Sequence, residues 1–224
     1  MVFERTIQLI GQETFERLQQ QRVILFGVGG VGGWCAEALV RTGIHHLTIV
    51  DFDIVDETNL NRQVVATAQN IGCTKVEQMR QRLLSIIPDA NIVAIDRQYN
   101  TETAETFQLD QYDYIIDAID MVDCKMLLLH EATKTEATVL SSMGAGRKMD
   151  PQQIRVAEFW KVEGCPLARA LRTKMKKSGL LPQKKFRCVY SPELSGDRGT
   201  LAPVVGTFGM TLASLVIQDA VSLQ

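Results

Sequence analysis

The amino-acid sequence predicts an α/β protein with a doubly wound, mostly parallel sheet, a basic helical insertion and an apolar C-terminal helix. Apolar runs rich in β-branched residues recur along the chain, and helical patterns separate most of them. The runs are continuously apolar rather than alternating, which indicates strands covered by helices on both faces of the sheet. Ligands of such sheets bind beyond the carboxyl ends of the strands. Residues that directly follow the runs are therefore the candidates for function.

Five runs are predicted to be strands; in chain order they read RVILFG, HLTIVD, NIVAID, DYIIDA and ATVLSS. The helix predicted over Thr74–Ile87 has capping-box spacing between Thr74 and Glu77, and Pro88 stops it. Its first turn contains Lys75, and a lysine is electrostatically disfavoured near a helix N-terminus. Either a ligand anion beside it or simple exposure to solvent would account for that position.

Two further helices are predicted towards the C-terminus. Pro166–Ser178 begins with proline and is followed by Gly179, which is typical of helix ends. A stretch of about Gly206–Val221 is apolar nearly all round, which is typical of a core helix or a subunit interface. Most of it belongs to the twenty uncharged residues between Arg198 and Asp219, a length that could span a bilayer. The proline, glycines and threonines among them favour a buried loop and helix over membrane association.

The length of 224 residues, of which 46% are hydrophobic and 22% charged, predicts a single domain with a well-buried core. We expect a core over residues 1–160, a basic insertion over 161–198 and a segment over 199–224 that packs back on the core. The net charge of −2 hides a local excess, because Lys161–Arg187 contains nine Lys and Arg residues against the single acid Glu163. Any polyanion is therefore expected to bind there.

The cysteines, at positions 35, 73, 124, 165 and 188, form no C-x-x-C pair and are odd in number. A disulfide framework or a four-cysteine zinc site is therefore not expected, and we predict a reducing, cytoplasmic location. The N-terminal MVFERTIQLIGQE carries charges early and lacks an apolar stretch of signal-peptide length.

The turn after the first run, GVGGVGG, contains Gly27, Gly29, Gly30 and Gly32. The first, second and fourth of these glycines have the G-x-G-x-x-G spacing that lets backbone N–H groups approach an anion at a helix N-terminus. Asp51 ends the second run, 24 residues after Gly27, where a carboxylate accepts hydrogen bonds from a ribose. This pattern fits a nicotinamide dinucleotide and ATP equally well.

The segment DFDIVDETNLNRQ, which begins at Asp51, favours ATP. Asn59, Arg62 and Gln63 supply amide donors and a rigid guanidinium fork, which suit a polyphosphate. A dehydrogenase has no need for these residues there. The alternative is a polar loop whose asparagines stabilise turns.

Acidic residues follow the fourth run in DAIDMVDCK, where Asp117 and Asp120 lie three residues apart. Carboxylates at a strand end can hold Mg²⁺ through one or two oxygens together with phosphate oxygens. Asp123 is expected instead to cap the next helix or to lie in its first turn. ATP and Mg²⁺ are therefore the predicted ligands.

Together, GVGGVGG, VDFDIVDETNLNRQ, Lys75 and DAIDMVD resemble the superfamily of ubiquitin-activating enzymes and ThiF/MoeB adenylyltransferases over most of residues 3–146. The resemblance implies a Rossmann-like fold that binds ATP and Mg²⁺ and transfers AMP to a carboxylate. It also implies that Asp51 binds the ribose and that Asn59, Arg62 and Lys75 contact phosphates.

Two more positions match this superfamily. Asp120 corresponds to its magnesium-linked aspartate, and Arg5 in ERTIQLIG resembles the arginine that these dimers place in the neighbouring subunit's ATP site. A homodimer is therefore implied. The predicted catalytic residues are Arg62, Lys75, Asp120 and Arg5.

Within the superfamily the chain is most similar to the tRNA threonylcarbamoyladenosine dehydratases, through FERTIQLIGQE, DAIDMVDCK, GAGRKMDPQQIRV, PLARALR and CVYSPE. This resemblance implies adenylation of the threonyl carboxylate of the modified adenosine in tRNA, followed by ring closure that expels AMP. The residues then expected to contact tRNA are Arg169, Arg172, Lys174, Lys176, Lys177, Lys184, Lys185 and Arg187. No DNA partner is expected, and a sulfur-transfer or desulfurase partner stays undetermined.

Three alternatives stay open at this point. An adenylyltransferase for a ubiquitin-like sulfur carrier is disfavoured because the chain lacks paired C-x-x-C zinc ligands and has a basic segment better suited to RNA. A Rossmann oxidoreductase would bind NAD, and a non-catalytic relative would only bind RNA. Both Trp34 and Trp160 are predicted to be packing residues rather than platforms for stacked bases.

Overall fold

At the centre of the computed structural model, which describes residues 2–194 and 198–222, lies a seven-stranded sheet in the order β3-β2-β1-β4-β5-β7-β6. In chain order the strands are β1 Arg22–Phe26, β2 His46–Asp51, β3 Asn91–Asp96, β4 Tyr114–Asp117, β5 Thr138–Ser142, β6 Arg155–Glu158 and β7 Arg187–Tyr190. The helices are α1 Glu4–Ile10, α2 Gln12–Gln20, α3 Gly32–Thr42, α4 Lys75–Ile86, α5 Val122–Ala132, α6 Pro166–Ser178 and α7 Ala202–Ser222.

All five predicted strands form, and each lies parallel to its neighbours among β1 to β5. Strand β7 adds parallel to β5, and β6 closes that edge antiparallel to β7. Sequence analysis missed these two because each has four residues and β6 is partly polar and exposed, so neither gives a long apolar run. The six parallel strands end at one edge of the sheet, where the predicted site residues follow them.

Alternate residues of β1 face opposite layers of helices. Val23 and Leu25 pack in one core with α2, α3, α4 and α7, whereas Ile24 and Phe26 pack in a second core with α5 and α6. All four side chains are at most 1% exposed. Helices cover both faces of the sheet, as the continuously apolar strands predicted, and the doubly wound fold is confirmed.

The basic segment contributes to this architecture. Helix α6 has the predicted bounds, and Gly179 follows it in the left-handed region with φ +77°. The helix buries Ala168, Leu171 and Met175 in the second core, and β7 lies within the sheet. The described part of residues 161–198 is therefore built into the sheet and core, while Ser195–Asp197 lie outside the described residues.

Helix α4 forms as predicted, but its predicted capping box is wrong, because the Thr74 side chain makes no capping hydrogen bond. The backbone of this N-terminus is held by the turn after β2. Lys75 N donates to Asp53 O at 2.9 Å, and Ile54 forms an isolated antiparallel bridge with Thr74. This pairing brings Lys75 to the carboxyl edge of β2.

Helix α7 packs along α3 at close range. A Cβ added to Gly209 would lie 2.4 Å from Val31 O, so glycine is required for this approach. The helix is long and apolar enough to cross a membrane, but Phe208, Leu212 and Val216 are buried in the first core. Packing in the protein interior explains its apolar composition, in agreement with the predicted core helix.

Candidate nucleotide site

The glycine turn between β1 and α3 leaves no room for a side chain at Gly27 or Gly32. Gly27 has φ +87°, and an added Cβ would lie 2.7 Å from Ala118 O. At Gly32 an added Cβ would lie 1.7 Å from Gly27 O. The turn can therefore be tight enough to bring α3 directly beneath the end of β1. Backbone N–H groups at the start of such a helix attract an anion.

Asp51, at the end of β2, stabilises this turn through hydrogen bonds. Its carboxylate accepts hydrogen bonds from Val28 N at 2.8 Å and from Asp53 N at 2.9 Å. Burial raises the pKa of Asp51 because it removes water from the carboxylate, although both backbone donors act in the opposite direction. The carboxylate retains lone pairs that can accept hydrogen bonds from a ribose.

Lys75, in the first turn of α4, is only 5% exposed. Its Nζ forms an ion pair with Asp53 at 2.8 Å. A buried ammonium needs such a partner. Exposure to solvent, one of the two explanations open from the sequence, is therefore wrong, and the ligand anion stays a prediction. Sequence analysis missed Asp53, although its place two residues after Asp51 was a usable signal.

The polar loop after β2 places two of its three predicted residues in the cleft. Arg62 Nη1 donates to Thr58 O at 2.7 Å and to Asn61 Oδ1 at 2.8 Å, which fixes its guanidinium. Gln63 is 7% exposed, and its Oε1 has no hydrogen-bond partner within the described parts of the chain. A buried acceptor without a partner is costly, so a ligand donor beside it would be stabilising.

Asn59 has a local structural contact instead. It is buried, and its Oδ1 accepts a hydrogen bond from Asp56 N at 3.2 Å. The residue is not among the described cleft-lining residues. Its predicted phosphate contact stays a prediction. The observed role of Asn59 is to cap the 3₁₀ turn Glu57–Asn59, which lies shortly before Arg62 in the chain.

Asp117 is not available to hold a cation as expected from the sequence. It is fully buried and forms an ion pair with the equally buried Lys125 at 2.6 Å. Its carboxylate also accepts hydrogen bonds from Ser141 Oγ at 2.6 Å and from Ile119 N at 3.1 Å. Sequence analysis missed Lys125, which also donates to Ile119 O at 3.0 Å and so holds the turn before Asp120.

Asp120 is exposed and lines the cleft. Asp123 lies in the first turn of α5, as expected, and pairs with Lys174. Within the described residues, no group of three His, Cys, Asp or Glu side chains is arranged as a metal site. Mg²⁺ bound beside a nucleotide needs only one or two carboxylates together with phosphate oxygens, and the free carboxylate of Asp120 fits that need.

These elements surround a cleft of about 550 Å³ at the carboxyl edge of the sheet, a size that suits a small ligand or cofactor. The predicted residues that line it are Gly27, Gly29, Gly30, Asp51, Arg62, Gln63, Lys75 and Asp120. Sequence analysis missed the lining residues Arg97, Gln98, Tyr99 and Cys124, the wall of Ser142–Gly146, and Leu167, Thr200 and Val205. They come from parts of the chain that are distant in sequence, and Cys124, Leu167 and Val205 come from α5, α6 and α7.

Arg5 does not line this cleft in the described chain. It is exposed on α1, and none of the residues of this fully described helix is buried. The side chain is therefore accessible to a second molecule.

The eight predicted RNA-contacting cations divide into two groups. Four, including Lys174, are held by intramolecular partners: Arg172 donates to Phe159 O and Val162 O, Lys184 donates to Thr135 O and Ala137 O, and Arg187 pairs with Asp219. Burial lowers the pKa of Lys184. Lys174 is half-buried and pairs with Asp123, as described above. The exposed members are Arg169, Lys176, Lys177 and Lys185.

A doubly wound sheet whose strand ends carry a glycine turn, a largely buried carboxylate and fixed cations defines a nucleotide-binding protein of the Rossmann-like class. The ThiF family profile matches residues 3–223, and the chain belongs to the ThiF family. The predicted superfamily is thereby confirmed.

Relatives of known name agree with this assignment. The tRNA threonylcarbamoyladenosine dehydratase of Bacillus subtilis is 39% identical over 191 residues, which cover 85% of this chain and 74% of that protein. The protein of the same name from Escherichia coli is 35% identical over 196 residues, covering 85% and 73%. A crystal structure of the Escherichia coli enzyme in complex with ATP has a TM-score of 0.92 at 32% identity, covering 99% of this chain and 94% of that one.

Proposed function

We propose that this protein is an ATP-dependent tRNA threonylcarbamoyladenosine dehydratase. It adenylates the threonyl carboxylate of the modified adenosine, and the neighbouring carbamoyl group then closes a ring with release of AMP. The observation that carries the proposal is the cleft itself, where the glycine turn, Asp51, Arg62 and Lys75 meet. The similarity to dehydratases, one of which has been crystallised with ATP, supports this substrate over a sulfur carrier.

The first step is attack on the α-phosphorus of ATP. A carboxylate oxygen of the substrate bonds to that phosphorus, and the bond to pyrophosphate breaks. Arg62 and Lys75 stabilise the negative charge that develops on the phosphates. Lys75 can serve because Asp53, its partner in the free protein, is half-exposed and can turn towards water. The substrate carboxylate supplies its own nucleophile, so this step needs no protein base.

The second step is intramolecular. The carbamoyl group attacks the acyl carbon, the bond from that carbon to the AMP oxygen breaks, and the carbamoyl group loses one proton. The oxygen removed from the carboxylate leaves on AMP, so the nucleoside loses one water overall. Because attacking and leaving groups belong to one bound molecule, orientation within the cleft contributes much of the acceleration. No thioester cysteine is needed.

Asp120 is the proposed magnesium ligand. When bound, Mg²⁺ would link this carboxylate to phosphate oxygens and neutralise charge on the leaving pyrophosphate. The exposed position of Asp120 at the cleft supports this role, and the buried pairing of Asp117 removes the competing carboxylate. Asp120→Asn should therefore raise the Mg²⁺ concentration needed for half-maximal rate. The control Asp113→Asn should not change it, because Asp113 is a partly exposed carboxylate that pairs with Arg22.

The direct test uses magnesium, ATP and tRNA that contains threonylcarbamoyladenosine, with the nucleoside analysed by mass after digestion. The wild-type protein should convert it to a product lighter by one water and should release AMP. Arg62→Ala should abolish AMP release, while Arg80→Ala should retain it, because Arg80 is outside the cleft and pairs with Glu77 on the surface of α4. The proposal would be overturned if folded protein left the mass of the nucleoside unchanged. It would also be overturned if ATP–pyrophosphate exchange required a carrier protein that ends in Gly-Gly and did not respond to tRNA.

A homodimer that shares Arg5 across subunits is also proposed, and a mixing experiment tests it. The exposed position of Arg5, away from its own cleft, supports this arrangement. Arg5→Ala and Arg62→Ala proteins, each inactive alone, should recover about a quarter of wild-type activity after subunits exchange, since half of the dimers would then contain one intact site. Recovery of no activity, with exchange demonstrated by mass spectrometry, would exclude shared sites.

A further inference from the structure

A second concavity lies beside α6, separate from the nucleotide cleft. Its volume is about 350 Å³. The residues that line it are Val162, Glu163, Gly164, Cys165, Arg169, Arg172, Thr173 and Lys176. We call it the α6 hollow. None of these residues is among the described lining of the cleft, so the hollow needs its own explanation.

The hollow is positively charged. Arg169 and Lys176 are exposed, and Arg172 is half-buried with its guanidinium bonded to Phe159 O and Val162 O. Glu163 is the acid among the described lining residues, which leaves a formal excess of two positive charges. The Nε of Arg172 is buried without a hydrogen-bond partner in the described ranges. A phosphate group is the kind of ligand that such a set of donors binds.

An exposed aromatic ring adjoins these cations. Trp160 is 42% exposed, contrary to the sequence prediction of a packing residue. Its ring meets the buried Phe159 edge-on, with centroids 5.2 Å apart, which anchors it. Lys176 Nζ lies 5.7 Å from the Trp160 ring centroid. One lysine therefore links the indole to the hollow, and a fixed indole surface of this kind is one on which a nucleobase can stack.

The hollow and the cleft share one end of α6. Leu167 lines the cleft, and Cys165, two residues earlier, lines the hollow. The cations of the hollow lie further along the helix. Lys176 is nine residues from Leu167, about 13.5 Å along the helix axis and on the opposite side of it. An RNA strand that passes the N-terminal end of α6 with its reactive adenosine in the cleft can reach these cations with a nucleotide a few steps away.

We propose that Trp160 and the α6 hollow form a subsite for a nucleotide a few steps away from the reactive adenosine in the RNA strand. Its base stacks on the Trp160 ring, and its phosphate is held by Arg169 and Lys176. This inference rests on the proposed function, because it assumes that an RNA substrate enters the cleft. An acidic peptide would use the cations but would have no need for the indole, whereas single-stranded RNA uses both.

The test measures binding of an unmodified RNA stem-loop, with the tRNA sequence that surrounds the reactive adenosine, at several salt concentrations. Trp160→Ala should weaken binding about 10-fold, within the range measured for loss of one stacked base, without changing the dependence of log Kd on log salt. Trp160→Phe should stay within about threefold of wild type because phenylalanine retains a flat ring. Lys176→Gln should reduce the salt slope by about one, as expected for a lost phosphate contact. Lys134→Gln, at an exposed lysine paired with Glu131 outside the hollow, is the matched control.

The outcomes separate this subsite from the proposed function. ATP-induced thermal stabilisation, measured for each variant, shows that the cleft is intact and does not depend on RNA. If RNA binding requires Trp160 but the protein has no dehydratase activity, the subsite is supported and the proposed function is wrong. Dehydratase activity with a KM for tRNA unchanged in Trp160→Ala, together with unchanged stem-loop binding, would overturn the subsite. Equal weakening of polyaspartate binding by Trp160→Ala would also overturn it, in favour of an acidic peptide. Should Trp160→Ala fail to fold, Trp160→Leu and Lys176→Gln decide the same question.

Discussion

Replacing Lys125 by methionine removes the charge partner of a completely buried carboxylate. Lys125 and Asp117 are both fully inaccessible to solvent, and their charged atoms lie 2.6 Å apart. Methionine has a similar length, so the main change is the loss of the ammonium and of its bond to Ile119 O. Breaking a buried pair from one side costs roughly 3–5 kcal/mol, because the remaining charge has no compensation.

The magnitude can be measured by denaturation. For a chain of this size, a loss of roughly 4 kcal/mol lowers the melting temperature by about 8–16 °C. The variant should also have a higher KM for ATP, because Lys125 holds Ile119, next to Asp120, in the turn that borders the cleft. Urea denaturation gives the free energy of unfolding, and pyrophosphate release at varied ATP concentration gives the KM.

Two further variants test whether the buried Lys125–Asp117 pair has this effect on stability. Lys134→Met breaks the exposed ion pair with Glu131 and should cost less than about 1 kcal/mol. The double variant Asp117→Asn with Lys125→Met removes both charges and should be more stable than Lys125→Met alone. If Lys125→Met is no more destabilising than Lys134→Met, or if the double variant loses the sum of the single losses, the buried pair does not have the assigned role.

Three further predictions concern the glycine turn, α3 and the thiols. Gly32→Ala should abolish ATP-induced thermal stabilisation and lower the melting temperature, because its Cβ would overlap Gly27 O. Glu37→Gln should reduce the free energy of unfolding at pH 7. Burial disfavours the charged Glu37 carboxylate, but hydrogen bonds from two arginines outweigh the effect of burial and lower the pKa of Glu37. The difference in stability between variant and wild type should therefore shrink as pH falls through that lowered pKa, and a difference that does not change with pH would contradict this. Maleimide should label Cys73, which is exposed, in the native protein and should label Cys35 and Cys188, which are fully buried, only after unfolding. Rapid labelling of Cys35 or Cys188 in the native protein would be inconsistent with the packing.

Much of the site could be predicted because the pattern of a parallel sheet dictates where strand ends meet. Once the first, second and fourth runs were assigned to strands, the residues after them had to share one edge. The structure indeed places Gly27, Asp51, Lys75 and Asp120 around one cleft. Strands β6 and β7 and the far wall of the cleft were missed because short, partly polar segments carry no periodic signal.

The sequence by itself determined the fold class, the position of the cleft and part of its lining, because these follow from local periodicity and from the order of strands. Only the tertiary structure decided how each charge is used. It paired Asp117 with Lys125 and left Asp120 exposed. It also exposed Trp160 beside Lys176. The physical reason is that burial and ion pairing depend on side chains from elements distant in sequence, and packing alone brings these together.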